Sequence, residues 1–245
     1  GSELLLLVHP ALRTERSGVN PLQDVVILAA ARTPIGGFMG TLLPLQAPRL
    51  GAVAIDAAVK RARVPLERID QVIMGNVLQA GLGQAPARQA AHYAGLPRAA
   101  GAITVSKVCG SGLRAVMDAA NGIHAGEWSV VIAGGMESMS NAPHLLERSR
   151  VGVRMGDGKL VDAMIKDGLW DPYGDKHMGQ CAESCARAYG FTREVQDAFA
   201  QTSYVRTRGA AEAGLFATEL VPVEVAQPKA EPLRVSQDEE PFKMA

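Results

Sequence analysis

The chain has 245 residues, of which 47% are hydrophobic, and it carries 25 Lys plus Arg against 25 Asp plus Glu. This length exceeds one average domain and can bury a sizeable core, while a formal charge of zero excludes a global field that would recruit nucleic acid or an anionic membrane. The three cysteines, Cys109, Cys181 and Cys185, form an odd, sparse set with no C-x-x-C pair, which fits reduced thiols in the cytoplasm better than a disulfide framework or a zinc site.

Gly1-Ser2 reads as a cloning remnant. Residues Glu3 to Gln23 mix leucines with Pro10, Gly18 and Pro21 and hold no period, which predicts a surface extension. The apolar run Leu4 to Val8 is too short for a membrane span or a signal peptide. Val25 to Ala31 is a continuous apolar run, as expected of a strand buried on both faces, and Arg32-Thr33-Pro34 ends it. A helix follows from Arg49 to Arg63 and stops before Pro65. Asp70 to Leu78 reads as a second strand. Gly81, Gly83 and Pro86 then form a loop into a helix from Ala87 to Ala94, closed by Gly95. The Gly81-Leu82-Gly83 cluster invites a dinucleotide reading, which fails because Pro86 stands where the third glycine is needed.

Ala102 to Val108 predicts a third strand, and Leu113, Val116, Met117, Ala120 and Ile123 mark the apolar face of the helix after it, which ends near Ala125-Gly126. Cys109 therefore sits at a strand-to-helix junction. Gly110 and Gly112 allow a sharp turn there, and the free amides of the first helical turn favour a thiolate. From this pattern alone Cys109 is either a nucleophile or a small core residue. Ser129 to Ala133 is a fourth strand, and the alternation of strand with helix predicts an open parallel sheet covered on both faces, with ligands bound beyond the carboxyl ends of its strands.

From Ser140 to about Asp175 the period is lost in loops around one short helix, Lys159 to Asp167, and so long an excursion from a compact sheet is usually functional. Helices resume over Met178 to Tyr189 and from a Thr192 cap to Ala213. Leu220 to Val225 fits an edge strand, where Pro222 is tolerated, and the last twenty or so residues are polar.

Ala30-Ala31-Arg32-Thr33-Pro34, Gly83 to Ala90, Val108 to Val116, Ala133 to Ser140 and His177-Met178-Gly179 together resemble the thiolases, in the correct order between Asp24 and Val225. The resemblance implies an α/β fold with a mixed, mainly parallel sheet, divided into an extension (1–23), a thiolase amino-terminal domain (24–139) and an α-rich loop domain with tail that covers coenzyme A (140–245). It implies an acyltransferase that joins or cleaves acyl-coenzyme A by Claisen chemistry, in which Cys109 takes the acyl group as a thioester. The Cys109 amide at the Gly110 turn would face the thioester oxyanion, and Gln84 would brace the nucleophile loop of a neighbouring subunit. Leu169, His177 and Met178 fall where the family lines the pantetheine and acyl pocket, and His177-Met178 resembles the short-chain, acetoacetyl-coenzyme A type. Packing for Leu169 and Met178, loop hydrogen bonding for His177, and a plain polar loop for Gln84 stay open as readings.

No cofactor or metal is implied. Cys181 and Cys185 share a helix face but have no third ligand in view. The family's Gly-His-Pro and Cys-x-Gly segments, which hold the activating base and the second acid/base cysteine, do not occur in this sequence, nor does its Asn-Glu-Ala-Phe segment. The expectation is therefore an incomplete sheet and site, completed by a complementary carboxyl-terminal subunit of a split thiolase assembled as a dimer of heterodimers or higher. A truncated ordinary thiolase and a noncatalytic coenzyme A- or lipid-binding scaffold are the alternatives, and a ketosynthase would carry a different nucleophile motif.

Overall fold

In a computed structural model of the chain, residues 4–10 and 24–243 are described. The four strands expected from the sequence are β2 (Val25–Arg32), β3 (Gln71–Gly75), β4 (Gly101–Val105) and β5 (Val131–Gly135). Between them run α1 (Ala47–Ala62), α2 (Pro86–Tyr93) and α3 (Ser111–His124). β4, β3 and β5 pair in parallel, as short strands linked by helical crossovers must.

The start of the chain departs from expectation. Leu4–Pro10 forms β1, which lies inside the sheet and gives the order β2-β1-β5-β3-β4, so this part of the expected surface extension is a strand, while residues 11–23 lie outside the described residues. β1 runs antiparallel to both neighbours, which makes the sheet mixed while the other four strands share one direction.

Helices α1 and α2 cover one face of the sheet, where Leu82, Ile55, Val72, Met74 and Ile132 belong to one buried cluster. α3 covers the other face. Its buried stripe is Ser111, Ala115, Ala119, Gly122 and Ile123, while Leu113 and Met117 are 68% and 48% exposed. The sequence pattern thus placed the apolar face of α3 only in part: Ile123 is buried and Val116 packs against the same cluster, but Leu113 and Met117 look outward, and the small Ala115, Ala119 and Gly122 let the helix lie close on the sheet.

Beyond β5 the excursion holds two small hairpins, β6 (His144–Leu146) with β7 (Leu160–Asp162) and β8 (Trp170–Asp171) with β9 (Lys176–His177). The predicted short helix is a wide π-type turn over Met164–Leu169. α4 (Met178–Tyr189) and α5 (Arg193–Glu212) follow, the latter capped by the Thr192 hydroxyl, which accepts from the Val195 amide at 3.3 Å. The expected edge strand is part of a hairpin of β10 (Val223–Gln227) and β11 (Ala230–Val235) packed on Leu42 and Leu50, and α6 (Glu240–Lys243) follows. Among the described residues no helix is long and apolar enough to cross a membrane.

Arg32 ties this tail to the sheet. Its guanidinium donates to both oxygens of Asp238 at 2.8 and 3.0 Å and to Glu219 at 2.6 Å, and it lies 5.3 Å from the centre of the Phe216 ring. Asp238 also accepts from the Ile35 amide at 2.7 Å. Burial works against the Asp238 charge, but Arg32 and the Ile35 amide outweigh it and hold the carboxyl below its usual range.

Candidate active site

The chain between β4 and α3 folds back on itself through Ser111. The Ser111 hydroxyl donates to the Val108 carbonyl at 2.6 Å and accepts from the Lys107 amide at 2.7 Å, while the Gly110 amide donates to the Lys107 carbonyl at 3.1 Å. This tight loop leaves Cys109 exposed just before the positive end of α3. The residue in the left-handed region is Val108, with φ +48, a costly conformation for a β-branched residue. Gly110 has φ −87, which any residue adopts, so the turn is not made by glycine as the sequence suggested.

Glycine is needed instead where the helix meets the sheet. A Cβ on Gly75, the last residue of β3, would lie 2.6 Å from the Ser111 carbonyl carbon and 2.7 Å from the Gly112 nitrogen. That close approach sets Cys109 over the carboxyl ends of the parallel strands, the position ligands take in such sheets.

Cys109 opens onto a largely apolar cleft of about 410 Å³, walled by Leu78, Val116, Met136, Met139 and Leu169, with Asn76 and Glu137 as polar members. A second cleft of about 280 Å³ shares Met139 and Leu169 with it and extends toward Phe38 and Met164. Glu137 follows β5 and binds the end of β3: its carboxylate accepts from the Val77 amide at 2.8 Å, the Leu78 amide at 3.3 Å and Asn76 Nδ2 at 2.9 Å. Burial pushes its carboxyl up despite these donors, which pull the other way. Ser138, Ser140 and Asn141 fix the facing loop, through the Leu45 carbonyl at 3.0 Å, the Met39 amide at 2.9 Å and the Leu43 carbonyl at 2.9 Å. The motif from Ala133 to Ser140 is therefore a set of clamps that shapes the floor of the cleft.

Of the residues singled out from the sequence, the structure brings Cys109 and Leu169 together. Gly110 is the N-cap of α3. His177 and Met178 do not line the cleft: the His177 ring accepts from the Gly179 amide at 3.0 Å, and its own amide donates to Gln180, a capping box that opens α4. Gln84 is exposed on the loop before α2, where its carbonyl accepts from the Gln89 side chain at 2.8 Å. Cys181 and Cys185 lie on α4, and among the described residues no group of three or more His, Cys, Asp or Glu is placed to hold a metal ion. Asn76 and Glu137 were not singled out, although one signal was available: Glu137 is a lone charge directly after a buried strand.

The family model for the thiolase amino-terminal domain matches residues 25–244. The chain is 56% identical over 218 residues to an acetyl-CoA acetyltransferase of Cupriavidus necator, covering 89% of this chain and 56% of that protein. It is 53% identical over 222 residues to acetyl-CoA acetyltransferase 2 of Arabidopsis thaliana, covering 91% and 55%. The crystal structure of Acat5 thiolase from Ascaris suum in complex with coenzyme A superposes with a TM-score of 0.83 at 40% identity, over 89% of this chain and 55% of that one. The chain belongs to the thiolase family, within its amino-terminal domain, and spans about half the length of the relatives it matches.

Proposed function

We propose that this chain is the nucleophile-bearing half of an acetyl-CoA acetyltransferase, acting in the cytoplasm on coenzyme A thioesters without a cofactor. The observation that carries the reading is an exposed Cys109 before the positive end of α3, at the mouth of an apolar cleft. The Cys109 thiolate attacks the thioester carbon of acetyl-CoA, the carbon–sulfur bond to coenzyme A breaks, and coenzyme A leaves as its thiol with a proton from the acid/base groups. The enolate of a second acetyl-CoA then attacks the acetyl group on Cys109, which releases acetoacetyl-CoA and the free thiolate. The Cys109 amide faces the oxyanion, Leu169 borders the acyl group in the cleft, and His177 and Met178, which lie outside the cleft, border the pantetheine chain where it leaves.

The base that activates Cys109 and the acid that serves the leaving group come, in this reading, from a complementary carboxyl-terminal chain in a larger assembly of such pairs, with Gln84 bracing the nucleophile loop of a neighbouring unit. The outward Leu113 and Met117 of α3 support a further layer over this face. A second reading, in which this is the first half of one longer polypeptide, is favoured by relatives that are nearly twice as long. The intact mass of the natural assembly separates the two, since only the split enzyme contains a second, smaller chain.

The decisive measurement is thiolysis of acetoacetyl-CoA by this chain with and without the complementary half. Negligible turnover alone, recovery on addition, and loss of the recovered activity in Cys109→Ser are expected; full activity of the isolated chain refutes the division of labour. Iodoacetamide labelling of Cys109 well ahead of Cys185, which is also exposed, is expected of a nucleophile. Equal labelling would favour a noncatalytic scaffold.

A further inference from the structure

The second cleft of about 280 Å³ joins the Cys109 cleft along Met139 and Leu169, and the acetyl transfer proposed above makes no use of it. Its other walls include Phe38, Leu42, Leu43 and Met164, and among its described lining residues none is charged. The two hydroxyls there are already engaged: Ser138 donates to the Leu45 carbonyl at 3.0 Å, and Ser140 accepts from the Met39 amide at 2.9 Å. Such a lining selects an aliphatic occupant, because a polar one would lose its water without gaining a partner. Both sides of the cleft are held in place by the protein itself. Glu239 accepts from the Gly37 and Thr41 amides at 2.9 and 2.8 Å and fixes the loop that carries Phe38. Opposite it, the π-type turn supplies Met164 and Leu169, its first and last residues. Residues five apart diverge on an α-helix, whereas the i→i+5 bonding of the wider turn brings them to one side, and this gives the cleft its second wall.

Met139 stands between the two clefts. Ser138, Ser140 and Asn141 anchor the backbone on either side of it, which leaves its unbranched side chain, 37% exposed, as the part free to change rotamer. We propose that the second cleft is a tail pocket for the aliphatic part of straight-chain acyl thioesters longer than acetoacetyl, and that Met139 decides whether a chain held at Cys109 enters it. The inference rests on Cys109 as the acyl-bearing residue and adds a substrate class to that reading.

Labelling of the full chain with methyl and with n-octyl methanethiosulfonate, read by mass at each cysteine, tests it. The octyl-to-methyl rate ratio at Cys109 is compared with that at Cys185, which is also exposed and corrects for the general stickiness of the longer reagent. A higher ratio at Cys109 is expected. Met139→Ala should raise it and Leu43→Trp, which fills the second cleft, should lower it, each by about tenfold or more, the scale of a methylene or two in an apolar pocket. Equal ratios at the two cysteines, or a Cys109 ratio indifferent to both variants, overturns the proposal. The variants act in opposite directions, so if one fails to fold the other decides. In the assembly with the complementary half, Met139→Ala should likewise raise kcat/KM for 3-ketooctanoyl-CoA relative to acetoacetyl-CoA. An octyl preference at Cys109 without any thiolysis would refute the catalytic reading and keep the pocket, whereas flat ratios with normal thiolysis would overturn the pocket alone.

Discussion

A single hydrogen atom at Gly75 decides where Cys109 stands. Because any Cβ there would run into the backbone of Ser111 and Gly112, the first turn of α3 can rest on the end of β3 only while position 75 is glycine. Gly75→Ala must push the helix start outward or strain the strand, a cost of about 1–3 kcal/mol. A lower urea midpoint together with an altered alkylation rate of Cys109 is the expected result, and an unchanged rate would mean that the nucleophile loop is set elsewhere. Val108 adds to the same picture, since its left-handed backbone persists because the Ser111 hydroxyl and the neighbouring amides over-determine the loop. Neither residue was legible as positioning from the sequence, where the glycines after Cys109 drew attention and Gly75, at the end of a strand earlier in the chain, mattered more.

At the scale of elements, the Arg32–Asp238–Glu219 cluster joins β2 to the segment after α5 and to the tail. It explains the Arg32-Thr33-Pro34 motif structurally: Arg32 is buried, and its partners lie 187 and 206 residues away in sequence. Removing one member of a buried ion pair leaves the other charge uncompensated, so Arg32→Ala should destabilise the chain by about 3–5 kcal/mol in chemical denaturation. The pH dependence follows from the carboxyls. Asp238 and Glu239 both sit below their usual range; for each, burial alone works the other way, and the Arg32 guanidinium or the Thr41 side chain and Gly37 amide prevail. The stabilisation they give is fully present above their unfolded-state values and is lost as pH falls through the folded ones. Wild-type protein should therefore lose stability on acidification more steeply than Asp238→Asn, and parallel curves would contradict the assignment.

Across the whole molecule, the sheet is covered on one side by two helices and on the other by α3, whose outer face carries Leu113 and Met117. Exposed apolar residues on the helix that presents Cys109 fit a molecule whose active unit is larger than this chain. Leu113→Glu with Met117→Glu should leave the melting temperature of this chain nearly unchanged, because both side chains already face water, while abolishing recovery of thiolysis by the complementary half. Recovery at the wild-type level would place the contact elsewhere.

The alternation of apolar strand and amphipathic helix from Val25 to Gly135, the strand-to-helix position of Cys109 and the capped helices α4 and α5 were determined by the sequence itself, because each depends on neighbours a few residues apart. Tertiary structure alone decided the rest. α3 buries its small stripe because it must approach Gly75 and Gly135, a demand that no periodicity within the helix expresses. Glu137 became part of the cleft, and Leu4–Pro10 a strand of the sheet, only when segments distant in sequence met: local pattern records which faces are apolar, whereas the partner of each face is fixed by contacts that long-range packing alone creates.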